Sequence, residues 1–217
     1  MLFSAFIFDM DGTLLDNMGF HIKTWIEFLA SIGVAIDEPT FTRRTVGKVN
    51  AEILRELVNP DLTDEEIKAY SLKKEIMYRE EFKPHMKAVP GLELFLKRAW
   101  HHGIPLALAT SAGRENADFV LEGLSIARYF PVMVCAEDVH HGKPDPEIFL
   151  TAASRLGADP ATCLVFEDAP YGLEAARRAG MQAVALTTTF QAERLAHLPN
   201  VLQVVPDYTS LDPVRWG

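Results

Sequence analysis

Acidic, hydroxyl and cationic residues stand at or soon after the ends of four short apolar runs of the sequence. They are Asp9 and Asp11, Thr110 and Ser111, Lys143, and Glu167 and Asp168. Several carboxylates brought to one place stay ionised together only if a cation neutralises them. Because the candidate ligands are all oxygens, a hard ion such as Mg²⁺ is favoured. A carboxylate beside such an ion can attack phosphorus and form an acyl phosphate, so the pattern predicts phosphoryl-transfer chemistry.

Each of these segments also has a plainer interpretation when it is taken alone. The run from Asp9 to Thr13 is of a kind found in turns and calcium loops, and Lys143-Pro144 is typical of a solvated loop. Glu167-Asp168 could place charge at the positive end of a helix dipole. Their recurrence at strand ends favours one shared site, because ligands bind beyond the carboxyl ends of parallel strands.

The elements that would position these residues follow a strand–helix alternation. Five runs rich in branched or aromatic residues are predicted to be buried parallel strands: residues 3–8, 104–109, 132–136, 163–166 and 182–186. Helical patterns at 92–102, 145–156 and 171–179 alternate with them, the second with Asp145 as N-cap and Pro146 at its first helical position. The alternation predicts an α/β fold, a Rossmann-like parallel sheet covered by helices. Asp9 and Asp11 would face one cavity, since side chains two apart in an extended segment point the same way.

A long insertion separates the first predicted strand from the second, roughly three times the length of an ordinary strand–helix–strand unit. It contains an apolar stripe from Met18 that ends at Gly33, a second helical pattern at 51–58, and a third that begins with a capping box at Thr63 and runs to about Phe82. Trp25 lies on the apolar stripe and is expected in the core of this insertion. The sequence therefore predicts a catalytic core of residues 1–16 and 85–217 and an inserted α-helical cap of residues 17–84.

Composition limits the partners. The chain has 217 residues and a formal net charge of −9, which disfavours nucleic-acid and anionic-membrane binding. No apolar run is long enough to cross a bilayer, and the N-terminus lacks the basic residues of a signal peptide. Cys135 and Cys163 lie in apolar runs and are expected to be reduced core residues. We expect a cytoplasmic protein, a monomer or weak dimer, whose partner is a small phosphorylated metabolite.

Four segments resemble the motifs of the haloacid dehalogenase superfamily, specifically its β-phosphoglucomutase-like subgroup of phosphatases and mutases. They are residues 8–14, 106–111, 142–146 and 165–168. The resemblance covers the whole chain, and it implies that Asp9 is the nucleophile and Asp11 the general acid and base. It also implies metal binding by Asp9, the Asp11 backbone carbonyl and Asp168 with support from Glu167, and phosphoryl binding by Thr110, Ser111 and Lys143. The aspartate at position 11 favours phosphoryl transfer, because dehalogenases lack it.

The insertion carries the weaker part of the resemblance. The segment around His21 resembles one that sugar-phosphate members use near their active site, and Lys74 aligns more weakly with cap residues of the subgroup, so both are candidate substrate-binding residues. Where mutases carry an arginine that holds the far phosphate, this chain has Asn50, in the segment 47–50. Asn50 is uncharged, and that difference argues against a mutase.

These inferences lead to one hypothesis with two alternatives. The leading hypothesis is a Mg²⁺-dependent phosphatase that acts on a small phosphorylated metabolite, such as a sugar phosphate, through an aspartyl-phosphate intermediate. One alternative is a sugar-phosphate mutase, which would return the phosphoryl group to a second hydroxyl instead of to water. The other is a non-enzymatic receiver module phosphorylated on aspartate, against which the predicted cap and Asp11 argue.

Overall fold

A six-stranded, all-parallel sheet forms the larger of two compact units. The computed structural model describes residues 3–45 and 48–216. The strands are β1 (Ala5–Phe8), β2 (Leu106–Ala109), β3 (Val132–Val134), β4 (Cys163–Glu167), β5 (Gln182–Leu186) and β6 (Val201–Val205). Their order across the sheet is β3-β2-β1-β4-β5-β6, with every neighbouring pair parallel. Every residue of β1, β2 and β4 is buried, as expected for strands covered on both faces.

Helices connect these strands and cover the sheet. In this unit they are α5 (Leu92–His101), α6 (Arg114–Gly123), α7 (Glu147–Leu156), α8 (Pro170–Arg178) and α9 (Ala192–Leu195). The predicted α/β fold, with its parallel sheet, is confirmed. All five predicted strands are present. β5 has the predicted bounds, the other four begin or end at different residues than predicted, and β6 was not predicted.

The start of α7 differs from the prediction. Pro146 is the N-cap residue and Glu147 the first helical residue, one position later than expected. Asp145 is therefore not the N-cap, although its carboxylate Oδ1 accepts a hydrogen bond from the Glu147 backbone N–H at 2.9 Å. The proline ring has no N–H to give, so the acidic residue before it bonds the next available donor.

A second compact unit, Asn17–His85, is helical. It contains α1 (Met18–Ser31), α2 (Glu38–Thr45), α3 (Asn50–Leu57) and α4 (Asp64–Phe82). Trp25 is buried in the apolar core of this unit, as predicted, together with Phe28 and Leu54. The sequence predicted three helices here and missed α2, whose eight residues include Phe41 as their one large apolar side chain.

Two further features bear on the sequence-based expectations. Cys135 and Cys163 are both buried free cysteines. Across the part of the chain that the structure describes, no helix combines the length and apolar character needed to cross a bilayer.

Candidate active site

The register of the central strands brings the acidic residues together. Phe8 at the end of β1 pairs with Phe166 of β4, and their rings stack with centroids 4.5 Å apart and planes 6° from parallel. Asp9 and Glu167 are the next residues along the two strands. Because the stacked rings fix the register of these strands, the two carboxylates lie side by side. The apolar sheet thus fixes where the acids emerge, at the carboxyl edge.

Lys143 lies between these two carboxylates. Its Nζ donates hydrogen bonds to Asp9 Oδ1 at 2.6 Å and to Glu167 Oε1 at 2.9 Å, and its side chain is 1% exposed. Burial alone would lower the pKa of Lys143, but the charges of Asp9 and Glu167 outweigh that effect and raise the pKa above its usual value. The lysine therefore remains an ammonium ion at this edge of the sheet.

Asp168 adds a third carboxylate. Oxygens of Asp9, Glu167 and Asp168 lie within 4.8 Å of one another, and all three residues are buried. Burial is the main cause that raises the pKa of Asp9 to about 7, helped by Glu167 and opposed by Lys143. Burial and the neighbouring charge of Glu167 likewise raise the pKa of Asp168 well above its usual range. One ammonium does not balance three carboxylates, so this all-oxygen group suits a hard divalent cation such as Mg²⁺.

Two glycines allow the carboxylates to approach the backbone. Gly12 has φ +80°, and a Cβ placed on it would lie 2.0 Å from Asp168 Oδ2. A Cβ on Gly172 of α8 would lie 1.6 Å from Glu167 Oε1. The second carboxylate oxygen of Glu167 accepts a hydrogen bond from the Ala169 N–H at 2.6 Å, near the N-terminus of α8. Glu167 therefore stabilises the start of a helix as well as binding Lys143.

The remaining predicted core residues lie at the same edge. Thr110 follows β2, is 1% exposed, and accepts a hydrogen bond from the Ala112 N–H through Oγ1 at 3.0 Å. Ser111, next in the chain, is exposed. Asp11 is half-buried in a tight loop in which the Gly12 N–H bonds the Leu15 carbonyl at 2.8 Å. The structure thus joins Asp9, Lys143, Glu167 and Asp168 directly and places Asp11, Thr110 and Ser111 on the loops beside that edge.

In the helical unit, the three predicted residues form a cluster of their own. Lys74 Nζ lies 2.9 Å from His21 Nδ1 and 3.0 Å from Glu75 Oε1, and Asn50 Nδ2 donates to the same Glu75 oxygen at 2.9 Å. The His21 ring stacks on Tyr78 with centroids 3.8 Å apart. Gly47, which begins the segment compared with mutases, lies outside the described residues.

Sequence reasoning missed Glu75, which joins Lys74 to Asn50. A glutamate beside a lysine on a charged helix is typical of a solvated face, and only the folded unit shows that the side chain of Lys74 is 2% exposed. Gly172 was missed for a similar reason, because nothing near it in the sequence shows that Glu167 will occupy the space beside it.

Comparison with known proteins identifies the family. The model of the haloacid dehalogenase-like hydrolases matches residues 6–186 of this chain. The chain belongs to this family, and the predicted superfamily is confirmed.

Two of the relatives are phosphatases by name. The chain is 34% identical to the fructose-1-phosphate phosphatase YqaB of Escherichia coli over 182 residues, 84% of this chain and 95% of that protein. It is 32% identical to the validoxylamine A 7'-phosphate phosphatase of Streptomyces hygroscopicus over 220 residues, 99% and 97% of the two proteins. The prediction of a phosphoric monoester hydrolase of the haloacid dehalogenase type is confirmed by these likenesses.

Solved structures agree with the fold and with the predicted subgroup. The β-phosphoglucomutase of Clostridium difficile has a TM-score of 0.83 at 27% identity and covers 97% of this chain and 93% of its own. A hydrolase from Pseudomonas syringae has a TM-score of 0.80 at 31% identity, with 94% of both chains covered.

Proposed function

We propose that this chain is a Mg²⁺-dependent phosphatase that hydrolyses a sugar phosphate through an aspartyl phosphate on Asp9. The observation that carries the proposal is the buried group at the carboxyl edge of the sheet, in which Lys143 Nζ contacts Asp9 at 2.6 Å and Glu167 at 2.9 Å. A nucleophilic carboxylate, a fixed cation and a place for a divalent ion are the parts that phosphoryl transfer needs. The relatives named for sugar-like phosphates support the choice of substrate class.

The proposed reaction has two displacements at phosphorus. A carboxylate oxygen of Asp9 attacks the phosphorus atom while the ester P–O bond breaks, and Asp11 gives its proton to the departing alcohol. Asp11 then takes a proton from water, whose oxygen attacks the same phosphorus and releases inorganic phosphate and the free Asp9 carboxylate. Lys143, Thr110 and Ser111 would hold the transferring oxygens and offset their charge. Mg²⁺, held by Asp9, the Asp11 carbonyl and Asp168 with support from Glu167, would supply electrostatic stabilisation of the phosphoryl group.

We further propose that the helical unit selects the substrate, with His21, Asn50 and Lys74 as its binding residues. The cluster of these three with Glu75 offers a lysine, an imidazole, an amide and a carboxylate as hydrogen-bonding groups. Such a mixture suits the hydroxyl groups of a sugar, each of which donates and accepts. The partner is then a small phosphorylated sugar, and no nucleic acid or membrane is required.

A screen of phosphorylated metabolites for release of inorganic phosphate tests the proposal. We expect turnover of one or more sugar phosphates, none after divalent metal is chelated, recovery with Mg²⁺ and no recovery with Ca²⁺, whose coordination is longer and looser. Full activity in excess chelator would refute the metal-dependent mechanism. Release of phosphate from non-sugar substrates alone would refute the substrate class.

The mutase alternative has one observation in its favour, the structural likeness to β-phosphoglucomutase. Against it, Asn50 brings no charge and is bonded to the carboxylate of Glu75, which repels a second phosphate. A β-hexose 1-phosphate supplied with a trace of the 1,6-bisphosphate distinguishes the two reactions. We expect inorganic phosphate to form faster than 6-phosphate, and the reverse ratio would show a mutase.

The receiver module predicts a long-lived phosphoryl group on Asp9 and no turnover. Membership of a hydrolase family with phosphatase relatives argues against it. The lifetime of phosphorylated Asp9, followed after rapid mixing with substrate, would separate these classes directly.

A further inference from the structure

Three consecutive threonines follow β5 and lie against the loop that carries Asp9 and Asp11. Thr187 continues the sheet, since its N–H donates to the Val205 carbonyl at 2.9 Å. The Thr188 hydroxyl donates to the backbone carbonyl of Gly12. This segment was not singled out by the sequence analysis, and none of its residues has a role in the mechanism proposed above.

Thr189 lies beside the carboxylate of Asp168. A Cβ placed on Gly12 would meet Asp168 Oδ2 at 2.0 Å and Thr189 Oγ1 at 2.7 Å, so the carboxylate and the hydroxyl border the same small space. The hydroxyl is therefore close enough to turn toward the carboxylate of Asp168, although it makes no hydrogen bond in good geometry within the described part of the chain.

The Thr189 hydroxyl is a buried polar group whose hydrogen bonding is unsatisfied. Its Oγ1 is fully buried, and among the residues that the structure describes it has no partner in good hydrogen-bond geometry. A buried hydroxyl left without a partner is costly, and a buried polar atom of this kind at a charged site points to a functional ligand or its holder. If Thr189 served only to pack, removal of its hydroxyl would increase the stability of the fold, because a buried hydroxyl without a partner costs free energy.

We infer that Thr189 is a positioning residue for the cation site, whose buried hydroxyl turns to donate to the neighbouring Asp168 carboxylate and holds it in the orientation that binds the metal. The inference rests on the proposed function, since it assumes that Asp168 ligates a divalent cation. Carboxylates that bind metals are themselves held by hydrogen bonds, and removal of such a partner lowers metal affinity by about 10–100-fold. Thr188 supports the same arrangement, because its hydroxyl bonds the Gly12 carbonyl and so fixes the loop whose glycine leaves room for Asp168.

Three substitutions in the full chain test this inference. Thr189→Val removes the hydroxyl at nearly constant volume, Thr189→Ser keeps the hydroxyl and removes the methyl group, and Thr187→Val is the same change two positions earlier. The Thr187 hydroxyl faces the Val205 carbonyl at 3.5 Å and not the acidic group. Mg²⁺ binding is measured by titration calorimetry, alongside thermal unfolding in chelator and the Mg²⁺ concentration for half-maximal activity.

We expect Thr189→Val to weaken Mg²⁺ binding about 10-fold or more, with unfolding in chelator unchanged or shifted upwards. Thr189→Ser and Thr187→Val should bind Mg²⁺ as the unmodified protein does. Unchanged affinity in Thr189→Val, or equal losses in Thr189→Val and Thr189→Ser, would overturn the inference and make Thr189 a packing residue. A protein that is active in chelator and binds no Mg²⁺ would instead overturn the proposed function, and the inference with it.

Discussion

Among the residues that the structure describes, each of the two units buries one lysine side chain, and the two lysines are held in different ways. Lys143 in the sheet unit and Lys74 in the helical unit have side chains only 1% and 2% exposed. The carboxylates on Lys143 lie 134 and 24 residues away in the sequence, whereas the carboxylate on Lys74 belongs to the next residue. The first arrangement requires the pairing of β1 with β4, whereas the contact between Lys74 and Glu75 lies within α4.

The charge balance around the two lysines also differs. Lys143 is accompanied by three buried carboxylates, so the group has an excess of negative charge that a divalent cation would neutralise. The cluster at Lys74 combines its ammonium with the carboxylate of Glu75 and with the uncharged amide of Asn50. We propose that the group of three carboxylates serves the chemistry and that the cluster at Lys74 serves recognition.

The largest effect should follow from replacement of Asp9, the proposed nucleophile, in the group of three carboxylates. Asp9→Asn keeps the shape of the side chain but removes the attacking charge, and we expect kcat to fall by at least about 10⁴-fold. Asp118→Asn, the same change at an exposed residue of α6, is the control and should have no effect. Appreciable turnover by Asp9→Asn, in a preparation free of deamidated protein, would show that another residue is the nucleophile.

One substitution made in both lysines tests the division between chemistry and recognition. Lys143→Met should lower kcat by about 10²–10³-fold, because it removes a fixed charge aimed at the developing phosphoryl charge. Lys74→Met should raise KM by about 10-fold and leave kcat close to normal, as expected when a group binds substrate and transition state alike. Steady-state kinetics of both variants give the answer. If Lys74→Met reduced kcat as strongly as Lys143→Met, the two clusters would not differ in role.

Glycine-to-alanine changes should have opposite signs in the two units. In Gly172→Ala the new Cβ would lie 1.6 Å from Glu167 Oε1, so the carboxylate must move, and we expect a loss of stability of about 1–3 kcal/mol. Gly19 lies in α1, where an added Cβ would have no atom within 4 Å, so Gly19→Ala should stabilise the helix by about 0.5–1 kcal/mol. Urea unfolding followed by circular dichroism measures both. Equal effects of the two changes would mean that Glu167 is not confined by α8.

The smallest effect concerns a purely local contact at the start of α4. The Thr63 N–H and hydroxyl donate to Glu66 at 2.9 and 2.8 Å, and these bonds lower the pKa of Glu66 below its ordinary value of 4.5. A lowered pKa means that the carboxylate stabilises the folded helix above pH 4.5 and loses that contribution as the pH falls further. Glu66→Gln should therefore be less stable than the unmodified protein at pH 7, and the difference should shrink on acidification. Glu65→Gln is the control; a difference that persists in acid would contradict the assignment.

Much of the fold and of the acidic group could be predicted, because both depend on patterns that are local in the sequence. Buried parallel strands appear as short apolar runs, and the polar residue after each run must emerge at one edge. For this reason the sequence alone was enough to group Asp9, Lys143, Glu167 and Asp168. The order of the strands was not predicted, because the handedness of the crossovers does not by itself say which strands are neighbours.

What could not be predicted depends on contacts between distant residues or on weak patterns. Strand β6 lies at the edge of the sheet with Leu202 half exposed, so its pattern lacks the fully buried character of β4. Helix α2 has too few apolar residues to show a periodic stripe. Thr189 and Glu75 meet residues that are distant in the sequence only when the chain folds. A threonine after a strand and a glutamate beside a lysine are both common patterns, and neither indicates such a contact.

The two glycines beside the carboxylates have a consequence for how this site can change in evolution or in the laboratory. Gly12 and Gly172 leave only enough room for the present acids, since a single added carbon would meet Asp168 Oδ2 at 2.0 Å and Glu167 Oε1 at 1.6 Å. Lengthening Asp168 to glutamate, or placing any side chain at position 12, would need a second change to make space. Amide replacements of the same shape need none. Single substitutions that keep the shape of a side chain should therefore abolish the proposed activity easily. A change of metal preference that needs a longer side chain would require two mutations together, one at the acid and one at a neighbouring residue.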